Sequence, residues 1–128
     1  MPVLIGTSGW QYRDWRGRFY PVEIPVRAWL ESYAGSFATV ESNNAFYRLP
    51  ERHTFEDWAD RTPDDFVMAV KVSRFLTHIK RLAEPEEPVE RFLARARSLA
   101  ADFRQRYPHH PLLASVETAV QSPPSSKR

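Results

Sequence analysis

TVESNNAFY, residues 39–47, is the stretch that decides the fold. It begins with the pattern of a strand and ends in a polar, aromatic turn. Because side chains alternate along a strand, Thr39, Glu41 and Asn43 share one face, and the residues between them point to the other. A carboxylate in such a strand is unusual, and a buried one needs a partner to stay charged. The best candidate for that partner is Lys71, which lies on a later strand.

Strands and helices alternate on both sides of this stretch. The sequence predicts strands at residues 3–9, 38–43 and 66–73, the first of them buried, and helices over 25–37, near 54–59 and over 89–103. Gly35 stands where the first helix ends, and Thr54 with Asp57 resembles a capping box at the start of the second. Three strand–helix units in this order predict an α/β fold with a parallel sheet and right-handed crossovers.

The polar residues collect at the carboxyl ends of the predicted strands, where chemistry gathers in folds of this class. This pattern predicts a small-molecule or carbohydrate-type active site. Glu41 is the candidate general acid or base, and Lys71 sets its charge state or binds an anion. The competing interpretation is a buried ion pair between Glu41 and Lys71 that only fixes packing.

Other candidate residues surround this pair. Asn43, Asn44 and Ser73 are predicted to orient polar groups of a substrate, and Trp10 and Tyr12 to stack on it. Alternatively, the aromatic residues of the long loop at 10–25 simply cover the core. The full set of candidate substrate-binding residues is Ser8, Trp10, Tyr12, Asn43, Asn44, Phe46, Tyr47, Ser73, Arg74 and His78.

His78 has three interpretations, which are a second general acid or base, a metal ligand, and a loop histidine without a chemical role. No His–Glu pair has the spacing of metal ligands, so the sequence predicts no metal site. It identifies no cofactor, and it does not decide whether the protein is an enzyme.

Composition narrows the class of protein. The 128 residues suit one domain, and no apolar run approaches the ~20 residues that span a bilayer, so we expect no membrane partner. The N-terminus lacks the pattern of a signal peptide, and the absence of cysteine fits a reducing compartment, so we expect a cytoplasmic location.

A second functional hypothesis is nucleic-acid or phosphate binding. The net charge of +2 is too small to indicate it alone, but Arg74, Lys80 and Arg81 form a local basic group near aromatic residues. A third hypothesis is a fragment without function.

Several blocks of sequence resemble the domain of unknown function 72 family, also called YecE-like. They are Ile5 to Trp10, Val40-Glu41, Asn44 to Pro50, Phe66 to Arg74 and Thr77 to Lys80, and the likeness runs from about Val3 to about Leu99. The resemblance implies a TIM-type (β/α)8 barrel with these blocks at its mouth, and it implies no settled activity.

The sequence departs from this family pattern in three ways. A TIM barrel needs about 250 residues, so the chain is expected to form a partial barrel that is not closed, truncated or frame-altered after residue 103. We expect residues 1–103 to be the barrel portion and 104–128 a poorly ordered tail, in which residues 121–124 faintly resemble the end of a fourth strand. Ser42 stands where the family usually has an apolar residue. An open sheet leaves an unpaired edge and an uncovered inner face, which predicts self-association or marginal stability.

Overall fold

The computed structural model describes residues 3–99, and its helices and strands follow the predicted order except for a short helix at Asn44–Tyr47, where a turn was predicted. The elements are β1 (Gly6–Ser8), α1 (Trp29–Ala34), β2 (Thr39–Ser42), α2 (Asn44–Tyr47), α3 (Arg52–Asp60), β3 (Val67–Val70) and α4 (Glu86–Arg95). Short 3₁₀ turns lie at Arg13–Trp15 and Val26–Ala28, and a single π-helical turn lies at Phe75–Ile79.

The three strands form one parallel sheet in the order β1-β2-β3. The prediction of an α/β fold with an unclosed, parallel, partial barrel sheet is therefore confirmed. Gly6 pairs with Thr39, and a Cβ at Gly6 would stand 2.1 Å from the Thr39 carbonyl oxygen. Glycine is thus needed at residue 6 for β1 to approach β2 so closely.

The sheet has one face against the core and one face open. Val40 and Ser42 on β2 are each 1% exposed. Ser8, Glu41 and Ala69 lie side by side in the register of the three strands, so they share the opposite face. The buried core is dominated by aromatic residues: Trp10, Tyr20, Trp29, Leu30, Tyr33, Val40, Phe55, Trp58 and Phe66.

Two buried tyrosines fix the elements around the sheet. Tyr33 of α1 donates its hydroxyl hydrogen to the Thr39 carbonyl (3.0 Å) and accepts the Thr7 backbone N–H (2.8 Å), which joins the helix to both strands. Tyr20 donates to the Trp10 carbonyl at 2.7 Å. Burial raises the pKa of Tyr20 to about 12, with a smaller contribution from Tyr33, so its phenol stays neutral at physiological pH.

Several local predictions were wrong. β1 is not buried, because Gly6 and Ser8 are exposed and Thr7 is half-buried, and Val3 and Ile5 before it are 87% and 73% exposed. The capping box at Thr54 does not form, since α3 begins at Arg52 with Glu51 as its N-cap and Thr54 lies inside it. Gly35 does end α1, but its φ of −72° is the ordinary right-handed value rather than a left-handed glycine cap.

The ends of the predicted units differ from the observed ones. α4 begins at Glu86, three residues earlier than predicted, and the predicted helix end at Phe103 lies outside the described residues. The expected tail at 104–128, and with it the division of the chain at residue 103, also falls outside them. Within residues 3–99, no helix is long and apolar enough to cross a bilayer.

Candidate functional site

Glu41 is the centre of the polar cluster at the carboxyl end of the sheet. Ser8 Oγ donates a hydrogen bond to Glu41 Oε2 at 2.8 Å, and Lys71 Nζ stands 3.8 Å from Oε1. Both oxygens of the carboxylate therefore have a partner from a neighbouring part of the sheet. The structure places Glu41 and Lys71 on the same face, as the alternation of side chains predicted.

The ion pair is open to solvent, so the competing interpretation of a buried pair was wrong. The side chains of Lys71 and Glu41 are 46% and 40% exposed. A pair of this kind, near the limit of ion-pair distance, is worth about 0–1 kcal/mol of stability. The interpretation that this pair exists only to fix packing therefore has little energetic support.

Lys71 also has an aromatic neighbour. Its Nζ lies 5.1 Å from the centre of the Phe46 ring, within the range of a cation–π contact. The His78 imidazole contacts the same ring edge-on at 5.2 Å, and its Nδ1 is 2.7 Å from Thr77 Oγ1. Phe46 thus brings the loop after β3 into contact with the Glu41–Lys71 pair.

Ser8 is held by three polar contacts at the end of β1. It donates to Glu41, its Oγ accepts a hydrogen bond from Asn43 Nδ2, and its carbonyl accepts one from the Tyr12 hydroxyl. The Gly9 N–H donates to the Glu41 carbonyl at 2.8 Å, which extends the β1–β2 pairing by one residue. Gly9 then turns the chain with a φ of +90°, a value that favours glycine.

Two cavities adjoin this cluster. One of about 270 Å³ lies on the open face and is lined by Gly6, Thr7, Ser8, Thr39, Val40, Glu41 and Ala69. The other, of about 130 Å³, lies beyond the strand ends and is lined by Gly9, Trp10, Gln11, Tyr12, Asn43 and Asn44. The hydrogen bond from Asn43 to Ser8 joins a wall of the second cavity to a wall of the first.

Trp10 is a core residue, which corrects its predicted role in stacking on a substrate. It is 3% exposed, and its ring packs edge-on against Trp58 at 5.4 Å. Trp15 and Phe19 also pack against the core, so the alternative interpretation of the aromatic loop holds for these three residues. Tyr12 differs because it is 40% exposed and lines the smaller cavity.

The remaining candidates occupy the rim or the loop after β3. Tyr47 is 71% exposed and its ring contacts Phe46, and Arg74 is exposed. Ser73 Oγ accepts the N–H of Phe75, the first residue of the π-helical turn, at 3.2 Å. Within residues 3–99, no hydrogen bond or ion pair joins Ser73 or Arg74 to Glu41. Their predicted roles stay predictions.

Gln11 is a residue of the site that sequence reasoning missed. Its Oε1 accepts a hydrogen bond from Asn44 Nδ2 at 2.8 Å. The available signal was its position two residues after Gly9, because a tight turn at the end of β1 brings the following residues over the strand ends.

One of the three basic residues proposed for phosphate binding is already paired with a carboxylate. Lys80 Nζ forms an ion pair with Glu84 at 3.0 Å. Arg81 has a positive φ of 49° in the same exposed loop. Within the described part of the chain, no group of three or more His, Asp or Glu side chains has the arrangement of a metal site.

Three parallel strands, helices against one face and a polar cluster at the carboxyl ends of the strands define an α/β protein of the partial (β/α)8-barrel class. Residues 4–107 match the family described as "Protein of unknown function DUF72". The chain belongs to that family.

Individual relatives agree with this assignment. The chain is 30% identical over 103 residues to the UPF0759 protein YecE of Escherichia coli strain K12, a match that covers 80% of this chain and 35% of the relative. It is similar in structure to a DUF72 family protein of Thermotoga maritima MSB8, with a TM-score of 0.66, 31% identity, and coverage of 79% and 40% of the two chains. A DUF72 family protein of Enterococcus faecalis V583 gives a TM-score of 0.51 and 25% identity over 57% of this chain and 31% of that one. The chain thus spans about a third of the length of the curated relatives that it matches.

Proposed function

We propose that the carboxyl end of the sheet binds a small molecule of carbohydrate type, with Glu41 acting as its general acid or base. The observation that supports this most is the arrangement of the Glu41 carboxylate. It is held by Ser8 at 2.8 Å and approached by Lys71 at 3.8 Å, yet 40% of the side chain faces solvent beside a cavity of about 270 Å³. A fixed, accessible carboxylate is what proton transfer to or from a ligand requires.

Lys71 supplies the positive charge of the site. Its ammonium lies 3.8 Å from Glu41 Oε1 and is 46% exposed, so it can also bind a negative charge on the ligand. Asn43 and Asn44 orient polar groups, and the Phe46 ring positions Lys71 and His78. Ser73, Arg74 and Tyr47 complete the rim in this proposal.

The number of carboxylates limits the chemistry that this site supports. Among the lining residues within 3–99, Glu41 is the one carboxylate. Glycoside hydrolysis commonly uses two carboxylates that flank the bond. The described residues therefore favour binding, or proton transfer by a single carboxylate, over hydrolysis of a glycosidic bond.

Location and partners are also proposals. A chain of 128 residues without cysteine fits a reducing compartment, so we propose a cytoplasmic location. A fluorescent fusion found outside the cytoplasm would contradict it. Self-association through the open sheet is proposed as well, and its test is given in the Discussion.

Titration of the labelled chain tests the site. The backbone amide signals of Ser8, Glu41 and Lys71 are followed by NMR while methyl β-D-glucopyranoside, its uronic acid and inorganic phosphate are added separately. We expect the glycoside or its uronic acid to shift all three signals, whereas a shift by inorganic phosphate alone would contradict the proposal. Glu41→Gln should weaken that binding by about tenfold or more, because a hydrogen bond to a charged group is worth about 1.5–3 kcal/mol.

Matched controls separate the site from general changes of charge. Glu56→Gln removes a carboxylate of similar exposure from an ion pair with Arg52, and Lys80→Met removes a cation paired with Glu84. Both controls should bind like the unmodified chain, whereas Lys71→Met should bind less well. If neither carbohydrate probe shifts the three amides, or if Glu41→Gln binds that probe as well as the parent does, the proposed function is wrong.

A further inference from the structure

The smaller cavity beyond the strand ends has an uncharged lining. Its six residues are two asparagines, one glutamine, one glycine and two aromatic residues, so it presents amides and a phenol ring but no ionic group. A charged group in this cavity would lose water without gaining an opposite charge, which is unfavourable. The lining therefore favours a neutral group that forms hydrogen bonds.

The amide pair in this cavity leaves hydrogen-bonding groups unused by its own contact. Asn44 Nδ2 donates one hydrogen to one lone pair of Gln11 Oε1. The Gln11 NH₂ group keeps two hydrogens to donate, and Asn44 Oδ1 keeps its capacity to accept. A donor and an acceptor are thus held side by side, as two adjacent hydroxyl groups of a ligand require.

Tyr12 supplies an aromatic wall next to this pair. Its hydroxyl is bonded to the Ser8 carbonyl and its ring packs against Trp15 at 4.9 Å, so the ring is held in place while 40% of the residue stays exposed. A fixed aromatic face beside polar amides suits the apolar face of a sugar ring, whose hydroxyls project around its edge.

We infer that this cavity is a subsite for a neutral sugar ring, which stacks on Tyr12 and places two adjacent hydroxyl groups on Gln11 and Asn44. The inference rests on the proposed function and names its ligand class as a neutral carbohydrate. Asn43, which lines this subsite, donates a hydrogen bond to Ser8, and Ser8 donates one to Glu41. These two hydrogen bonds connect the subsite to the Glu41 carboxylate. The ligand then has one ring in the subsite and its reacting group at Glu41.

Binding of a neutral sugar and its acid tests the inference. Methyl β-D-glucopyranoside and methyl β-D-glucuronide differ only at C6, and their dissociation constants for the whole 128-residue chain are measured by ligand-observed NMR. We expect the neutral glycoside to bind more tightly than the acid. Gln11→Leu should raise the dissociation constant of the neutral glycoside about tenfold, because it removes hydrogen bonds worth about 1–1.5 kcal/mol.

Gln11→Glu is the sharper variant. This substitution keeps an acceptor for Asn44 Nδ2, removes both hydrogens that Gln11 can donate and adds a negative charge. It should therefore weaken binding of the acid even more than binding of the neutral glycoside. Thermal unfolding of each variant serves as the control for folding. Tighter binding of the acid than of the neutral glycoside by the parent chain would overturn the inference, as would no binding of either.

The outcomes for Gln11 and Glu41 are independent. If Glu41→Gln weakens binding of the glycoside and Gln11→Leu does not, the subsite is wrong while the proposed function stands. If Gln11→Leu weakens binding and Glu41→Gln does not, the subsite stands and the role proposed for Glu41 is wrong. Loss in both variants supports both assignments.

Discussion

At the scale of single residues, the Ser42 hydroxyl is an unfavourable feature of β2. Ser42 is 1% exposed, and its Oγ has no hydrogen-bond partner within residues 3–99. Burial of an unpaired polar group costs about 1–3 kcal/mol. We expect Ser42→Ala to raise the free energy of unfolding by about 1 kcal/mol, measured by urea denaturation.

Thr39 on the same strand is the matched control for Ser42. Thr39 Oγ1 donates to the Val67 carbonyl at 2.8 Å, so its hydroxyl is satisfied. Thr39→Val removes that bond with little change of shape and should lower the free energy of unfolding by about 1 kcal/mol. If both substitutions destabilise the protein equally, the Ser42 hydroxyl has a partner and the prediction for it is wrong.

Alternation along a strand made some residues predictable and others not. It placed Glu41 on the open face and Ser42 towards the core, because both lie within β2. It could not predict the hydrogen bond between Gln11 and Asn44, because these residues are 33 positions apart and are brought together by a turn at Gly9. Trp10 was misassigned because an aromatic residue after a strand has the same sequence pattern whether it faces a ligand or the core.

At the scale of elements, α1 and α3 are joined by one arginine. Arg61 follows α3, and its guanidinium binds Glu31 of α1 with two hydrogen bonds, Nε to Oε1 at 2.8 Å and Nη2 to Oε2 at 2.9 Å. It also binds Asp57 at 2.8 Å and the Arg27 carbonyl. The hydrogen bonds from Arg61 hold the pKa of Glu31 below its ordinary value of 4.5.

This junction makes stability depend on pH. A lowered pKa in the folded state means that Glu31 stabilises the fold above its ordinary pKa, and that this contribution is lost as the pH falls through the folded value. We expect Glu31→Gln to lower the free energy of unfolding by about 0.5–1 kcal/mol at pH 7, a size set by the partial exposure of the pair. The difference should disappear in urea titrations well below pH 4.5.

The pair of Arg52 and Glu56 is the control for that junction. Both residues lie in α3, four positions apart, so their contact at 2.7 Å joins no separate elements. Glu56→Gln should therefore cost less, about 0.3–0.5 kcal/mol. A loss for Glu31→Gln that persists unchanged at low pH would show that packing, rather than charge, explains it.

The limits of elements were predicted less well than their order. β3 ends at Val70, three residues before the predicted end, although Lys71 N–H still donates to the Ser42 carbonyl at 3.3 Å. α3 begins two residues earlier than the Thr54–Asp57 pattern indicated. Its buried residues Phe55 and Trp58 pack against the core, and this packing holds the helix without a side-chain cap. Local patterns give the type of an element, while packing decides where it ends.

At the scale of the whole molecule, the sheet is covered on one face only within the described residues. Parallel sheets are normally covered on both faces. Ala69 on β3 is exposed, and the residues leading into β1 expose large apolar side chains, Val3 at 87% and Ile5 at 73%. β1 is an edge strand of the described sheet, so these side chains lie at that edge, where the Ser8 carbonyl already accepts the Tyr12 hydroxyl.

Such an edge promotes pairing with another chain unless charge prevents it. We expect the protein to self-associate through β1 with a second copy, and Ile5→Lys to raise the dissociation constant of the assembly by about tenfold, measured by analytical ultracentrifugation. Val22→Lys is the control, because Val22 is 61% exposed but lies in the loop rather than at the strand edge. If Val22→Lys and Ile5→Lys weaken association equally, apolar exposure in general is responsible. If the parent chain sediments as a monomer at all concentrations, the edge of β1 is not an interface between copies.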